Sequence, residues 1–310
     1  RFEAGHTTPI ALTVPEARPL TWLDFTVATN NLGEELTQIR IEADEELFAV
    51  PFAAENAEAL AVAADAEGRF RAAVYADAVP ASTLGGRSLG IDYESENALL
   101  RGHTVALPAD IADGGEANVP MNVPYLFEED FSGVTGEYGS NDNKGLLDYD
   151  ADDLKDYGVP GWSISRARVN KYALALRHYV AWSKDYYSCI NSAPLSQIKP
   201  EKSVQILVTF NAASESDDIP CILGGYNTET KRYPGTGDGV EIYGSEVTIL
   251  KNPIYAGYDK VTLDAPVYQF QIAATHTTCL RWKTSADLSG GLTGKYSNTY
   301  IDNIRVNIVK

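Results

Sequence analysis

The sequence predicts an all-β protein made of two sandwich domains, a smaller one over residues 1–118 and a larger one over 119–310. Three observations predict it. Short stretches of alternating apolar and polar residues recur along the chain, most of them bounded by Gly, Asn, Asp or Pro. No stretch shows a convincing helical period. Composition also changes partway: residues 1–120 hold seven Arg, no Lys and 20 acids, a net of −13, while residues 121–310 hold 23 acids and 18 bases, a net of −5. At 310 residues the chain fits two domains of about 100–200 residues each.

In the first domain, Leu23-Asp24-Phe25-Thr26-Val27 alternates as a half-buried strand does, and Asn30-Asn31-Leu32-Gly33 supplies turn chemistry. Leu36 to Ile41, Phe70 to Tyr75 and Ser88 to Tyr93 alternate in the same way, and Thr104-Val105-Ala106-Leu107 reads as the last strand. Short strands at such spacing suggest a β-sandwich. The Ala-rich stretch Ala49 to Ala66 admits a helical insert by propensity and a strand by the alternation of Leu60-Ala61-Val62. Ala112 to Pro120 has turn residues and no clear period, and reads as the linker.

The second domain opens on Tyr125 to Phe131 and continues through an acidic, Gly- and Asn-rich stretch, Gly136 to Gly158, which reads as a long loop. Strands follow at Tyr172 to Leu176, Val204 to Phe210, Val240 to Tyr243, Val267 to Ile272, Cys279 to Trp282 and Tyr300 to Val306. This arrangement suits a jelly roll. There is no repeat at a fixed period of 20–50 residues and no low-complexity tract.

The formal net charge of −18 argues against nucleic acid as a partner, because a phosphate backbone needs clustered Lys and Arg. Such acidity can attract cations such as calcium. No run of about 18 apolar residues marks a membrane-spanning helix. The chain opens on Arg1 and carries no signal peptide, as expected of an exported protein whose leader has been removed. Cys189, Cys221 and Cys279 have no metal-binding spacing. They allow at most one disulfide, and otherwise read as small buried apolar residues.

Two segments resemble known families. Leu126-Phe127-Glu128-Glu129-Asp130-Phe131-Ser132-Gly133, then Gly161-Trp162, then Tyr300-Ile301-Asp302-Asn303-Ile304-Arg305-Val306, resembles the jelly-roll modules of Bacteroidetes surface proteins, of the cleaved-adhesin and carbohydrate-binding-like groups. Residues 20–110 resemble the Ig-like N-terminal domains of Bacteroidales fimbrillin-like lipoproteins, through Leu23 to Val27, Leu36 to Ala43, Leu47-Phe48-Ala49, Ala72 to Tyr75 and Leu89-Gly90-Ile91. The resemblance implies an Ig-like sandwich followed by a larger jelly roll of the galactose-binding or concanavalin-like kind. It also implies an exported lipoprotein at the cell surface or outer membrane, touching the membrane only through a lipid anchor. One structural calcium is implied as well, at the positions matching Glu129 and Asp130 on the first jelly-roll strand and Asp302 on the last. Calcium takes six to eight oxygens, and on a regular strand Glu129 and Asp130 point to opposite faces, so a bend or bulge is required.

A glycan platform is legible in the residues themselves. Sugars stack apolar C–H faces on aromatic rings while polar groups orient their hydroxyls. Trp182, Tyr186 and Tyr187 lie among polar residues in Tyr179 to Tyr187, and Tyr226, Tyr233, Asp238 and Tyr243 flank a Gly- and Thr-rich loop. The competing reading makes these aromatics ordinary strand residues, half of them buried. Trp22, Trp162 and Trp282 read as core. Catalysis has no motif behind it: there is no GxSxG, HExxH, P-loop or dinucleotide fingerprint, and His6, His103, His178 and His276 are far apart. The expectation is therefore a non-catalytic surface protein that binds a glycan or another host or bacterial surface ligand. A fimbria-associated assembly subunit is the alternative, and a polysaccharide hydrolase or lyase comes third.

Overall fold

The structure, a computed structural model, describes residues 20–42, 59–75, 84–137, 150–151, 153–181, 184–186, 188–227, 240–285 and 296–309. The chain is all-β. Seven strands come first: β1 (Leu20–Ala28), β2 (Leu36–Glu42), β3 (Ala59–Ala63), β4 (Phe70–Tyr75), β5 (Ser88–Ser95), β6 (Leu99–Ala106) and β7 (Glu116–Asn122). They form a three-stranded sheet ordered β4-β1-β7 and a four-stranded sheet ordered β3-β2-β5-β6. Alternation fixes the face of β1: Thr21, Leu23 and Phe25 are buried, and Leu23 and Phe25 lie opposite Ala72 and Phe70 of antiparallel β4.

Three expectations for this half need correction. The stretch read as a linker contains β7, whose Ala117, Val119 and Met121 are buried at every second position. Pro120 hid this strand, yet β7 is an edge strand, where proline is tolerated. The last strand is therefore β7 and not Thr104 to Leu107. Trp22 is not core either: it sits one residue out of phase with Leu23 and lies half-buried beneath the Arg71 guanidinium, 4.9 Å from the ring centre. Of the Ala-rich stretch, residues 59–63 form a strand and 49–58 fall outside the described residues.

The remaining strands are β8 (Phe127–Glu129), β9 (Asp150–Ala151), β10 (Ser163–Ser165), β11 (Ala167–Asn170), β12 (Ala173–Ala181), β13 (Lys184–Tyr186), β14 (Cys189–Pro194), β15 (Val204–Ser214), β16 (Ile219–Asn227), β17 (Val240–Ile249), β18 (Val267–Ala274), β19 (Thr278–Thr284) and β20 (Tyr296–Ile308). They form a six-stranded sheet ordered β17-β16-β19-β14-β10-β9 and a seven-stranded sheet whose path is β11-β12-β20-β15-β18, with β13 on β12 and β8 on β20. Residues 150–151 and a 3-10 turn at Lys155–Tyr157 lie inside the stretch read as a loop. Strand β16 escaped notice because Pro220, Gly224 and Gly225 act as punctuation in sequence.

Trp282 of β19 fills the space between these two sheets. It stacks on Trp162 at 6.2 Å and meets Phe210 of β15 and Phe270 of β18 edge-on at 5.9 and 6.1 Å. Trp162 and Trp282 are buried, as read from sequence. Such rings contribute area burial plus about 0.5–1.5 kcal/mol per favourable pair. All three cysteines are buried, and none forms a disulfide.

The chain divides into two compact units that interleave in sequence. One comprises Arg1–Thr26, Arg40–Ile91 and Thr104–Met121; the other comprises Val27–Ile39, Asp92–His103 and Asn122–Lys310. Within the second unit, Ile308 N–H donates to Leu32 O at 2.8 Å, Leu99 N–H to Gln197 O at 2.8 Å, and Lys199 pairs with Glu94 at 2.8 Å. No helix among the described residues is long and apolar enough to cross a membrane.

Candidate functional site

The outer face of the six-stranded sheet carries a row of side chains that register brings together from five strands. Ser163 of β10 lies opposite Asn191 of β14, Asn191 opposite Arg281 of β19, Arg281 opposite Gly224 of β16, and Gly224 opposite Tyr243 of β17. In Cys279-Leu280-Arg281-Trp282, period two sends Leu280 and Trp282 into the core and turns Arg281 the other way. A hydrogen-bond chain follows. Asn191 Nδ2 donates to Ser163 Oγ at 3.1 Å, Arg281 Nε donates to Asn191 Oδ1 at 2.7 Å, and Arg281 Nη1 donates to Glu241 Oε1 at 2.5 Å. Lys283 Nζ stands 3.5 Å from the same Glu241 oxygen.

The Tyr226 ring packs beneath the Arg281 guanidinium, 4.1 Å from its carbon to the ring centre. Arg281 and Asn191 are buried, yet Arg281 Nη2 has no hydrogen-bond partner among the described residues. The guanidinium thus acts from beneath the face, through the groups that it holds. Gly224 lies between the guanidinium and Tyr243 and lets β17 approach closely, since a Cβ there would stand 2.0 Å from Ile242 O; Tyr243 is 68% exposed. Burial raises the Glu241 carboxyl, but the Lys283 and Arg281 charges outweigh it and hold the carboxyl below its ordinary range. The face thus offers solvent the Glu241 carboxylate and the Tyr243 ring, over a buried layer of Arg281, Asn191 and Tyr226.

Of the aromatics singled out by sequence, Tyr226 is in this row, buried, its ring covered by Arg281. Tyr186 lies on β13, opposite Tyr179 of β12 in register, and its side chain is outside the description. Trp182, Tyr187 and Tyr233, with Asp238, lie outside the described residues. Sequence reasoning passed over Arg281, Asn191 and Glu241. The signal available was a charged residue between two core apolar residues on one strand. His103 packs on Tyr93 at 5.6 Å, away from this row, and burial lowers its pKa.

Glu129 and Asp130 lie close enough to Asp302, where β8 runs along β20, for their charges to act on its carboxyl. Glu129 lies opposite Ile304, two residues beyond Asp302. Phe131, immediately after Asp130, has φ 53°, and Asn303, immediately after Asp302, has φ 50°. Glu129 Oε1 accepts from Phe131 N–H at 2.8 Å and Asp130 Oδ1 from Ser132 N–H at 2.9 Å. Asp302 is buried; its Oδ2 accepts from Asn303 Nδ2 at 2.9 Å, while Oδ1 has no partner among the described residues. Burial, with the Asp130 and Glu129 charges adding to it, pushes the Asp302 carboxyl up to about 7. Burial likewise raises Glu129. Among the described residues no three His, Cys, Asp or Glu side chains form a ready metal cluster. A cation here would draw on Asp302 Oδ1, the orphaned acceptor, and on further oxygens.

No family model matches the chain, and no curated protein matches it. Solved structures do. A CBM22-1 xylan-binding domain from Paenibacillus barcinonensis Xyn10C aligns at 13% identity, covering 60% of this chain and 95% of its own, with a TM-score of 0.30. The K1 cleaved adhesin domain of Lys-gingipain from Porphyromonas gingivalis W83 aligns at 10% identity over 58% of this chain and 96% of its own, TM-score 0.30. The N-terminal cellulose-binding domain of Cellulomonas fimi β-1,4-glucanase C aligns at 11% identity over 48% of this chain and 90% of its own, TM-score 0.28. Likeness at this level says nothing about a shared ligand.

Proposed function

We propose that this protein is a non-catalytic glycan-binding or adhesion protein whose binding surface is the outer face of the six-stranded sheet. The observation that carries the reading is the exposed part of the row, Glu241 and Tyr243 two residues apart on one face of β17, with Glu241 held in place by the buried Arg281 guanidinium. A carboxylate held this way orients hydroxyls, while the exposed Tyr243 ring takes the apolar face of a sugar. The pieces are held before a ligand arrives, so little ordering entropy opposes binding.

A structural calcium belongs to the same reading, held by Asp302 with Glu129 or Asp130 and backbone carbonyls. Its support is the buried, unpartnered Asp302 Oδ1 beside two further carboxylates. Bound there, the ion would supply charge compensation and bracing of β8 against β20, with no part in chemistry. Export to the cell surface or outer membrane, with a lipid anchor, rests on the resemblance of the sequence alone.

The test is affinity electrophoresis and calorimetry of the whole chain against xylan, soluble cellulose derivatives, mucin and other polysaccharides. Binding to one of them that weakens in Tyr243→Ala, with folding unchanged, supports the site. Binding by neither the parent protein nor any variant, in a protein shown to be folded, overturns the reading.

A further inference from the structure

A cavity lies on the outer face of the other sheet. Its floor comes from a second cross-strand row, in which Arg168 of β11 faces Ala175 of β12, Ala175 faces Tyr300 of β20, and Tyr300 faces Ala213 of β15. The alanines are too small to fill that face, so the loop between β17 and β18 settles on it. Ala256, Val261 and Ala265 pack against Ala173, Ala175 and Ala213, and Tyr258 meets Tyr300 edge-on at 5.0 Å. Where the loop lifts away, a cavity of about 490 Å³ remains, lined by Tyr172, Tyr258 and Tyr300 together with Asn170, the 256–260 loop and charged side chains. That volume is within the range of small-molecule sites, roughly 300–1,000 Å³.

Tyr172 is out of place for a purely structural residue. Asn170 and Ala173 pair in register, so Lys171 and Tyr172 form a two-residue hairpin loop. Tyr172 takes φ 84° there, a position that turns normally give to Gly or Asn. The left-handed conformation costs a residue with a side chain about 1–2 kcal/mol. The ring gains little packing in return, because the residue is 46% exposed. Lys171 Nζ stands 5.0 Å from the ring centre, and Asn170 Oδ1 accepts from Lys171 N–H at 2.6 Å, which fixes the turn.

The charges name the class of ligand. Lys171 and Lys260 line the cavity together with Glu215 and Asp259, two of each sign, and beneath Tyr258 the charges of Arg168 and Glu137 again oppose each other, so the site favours neither an anion nor a cation. Burial raises the Tyr258 and Tyr300 phenols, so both stay protonated and each can donate and accept. Three aromatic rings, two neutral hydroxyls and balanced charge suit a neutral polyol with an apolar face.

We infer that the cavity ringed by Tyr172, Tyr258 and Tyr300 is a second binding site, for a short neutral saccharide, on the opposite sheet from the Arg281 row. It shares a ligand class with the proposed function but none of its residues, and it makes the chain bivalent.

The experiment is saturation-transfer NMR on the whole chain with glucose, galactose, mannose, xylose, N-acetylglucosamine, cellobiose and lactose, with glucuronate and glucosamine as charged counterparts. Three proteins are compared: parent, Tyr172→Gly and Tyr243→Ala. Tyr172→Gly removes the ring and suits the backbone at φ 84°, so loss of signal is not loss of fold. The expected result is transfer to at least one neutral sugar that persists in Tyr243→Ala and falls at least tenfold in Tyr172→Gly, whose melting temperature equals or exceeds the parent's. No Tyr172-dependent transfer to any neutral sugar, or such transfer to the charged sugars alone, overturns the second site. Loss of polysaccharide binding confined to Tyr243→Ala leaves the Arg281 face standing without it. Binding confined to the Tyr172 cavity removes the Arg281 face instead.

Discussion

Arg281 lies over Tyr226, its guanidinium carbon 4.1 Å from the ring centre, although the two stand 55 positions apart in sequence. Neither residue is informative alone. Together, with Glu241 and Asn191 holding the guanidinium edge, they make a rigid polar platform on a sheet face.

The first prediction concerns that platform. Tyr243→Ala, at an exposed edge position, is expected to lower glycan affinity about tenfold, near 1.4 kcal/mol, with a melting temperature within a degree or so of the parent. Arg281→Lys keeps the charge but loses the fork that engages Asn191 and Glu241 at once, so its loss of affinity is expected to exceed that of Tyr243→Ala. Calorimetric titration with the best polysaccharide, beside thermal melts, measures both.

The second concerns pH. The Asp302 carboxyl is raised to about 7 in the folded chain from an ordinary value of 3.8. Between those values the folded state holds a proton that the unfolded state has released, so stability falls as pH rises from about 4 to 7 and stays low above. In chelator, the melting temperature is expected to decline across that window, and Asp302→Asn is expected to flatten the decline. Millimolar calcium at pH 8 is expected to restore the parent and not the variant. A flat parent profile, or equal calcium effects on both, counts against a cation at Asp302.

Third, two glycines with similar φ should respond differently. Gly33 has φ 81°, and a Cβ there would stand 1.9 Å from Ile308 O, so Gly33→Ala is expected to destabilise by well over 2 kcal/mol. Gly68 has φ 76° with nothing within 4 Å of an added Cβ, so Gly68→Ala is expected to cost only the conformational term, about 1–2 kcal/mol. Urea denaturation of both variants separates steric from conformational cost.

Fourth, Trp282→Ala is expected to cost about 3–5 kcal/mol, because it empties the space between the sheets. Trp282→Phe should cost far less, since it also removes an indole N–H with no partner among the described residues. Chemical denaturation of the pair gives the comparison.

Fifth, the three thiols should be silent in the native state. All are buried, and burial pushes Cys221 up to about 12 and raises Cys189. A thiol reagent at pH 8 is expected to find no reactive cysteine until denaturant is added, and then three.

Much of the fold was legible because the side-chain period of a strand is visible in sequence. Leu23 and Phe25, or Leu280 and Trp282, announce which side of their strand is buried. Where the period is broken the reading failed. Pro120 masked an edge strand, and Pro220, Gly224 and Gly225 masked a strand inside the six-stranded sheet. Trp22 was assigned to the core for its size, although its phase relative to Leu23 already placed it on the other face.

The sequence by itself determined that this chain is all-β, acidic, and rich in aromatic residues in its second part, and it marked Asp302 and Tyr226 as residues of interest. Only the tertiary structure decided what stands beside them. The Arg281 row is assembled from five strands by hydrogen-bond register, and register is a property of pairs of strands that no single strand encodes. The cavity at Tyr172 depends on a positive φ at a residue whose side chain gives no sign of it, and on alanines from two strands that admit a loop from elsewhere in the chain.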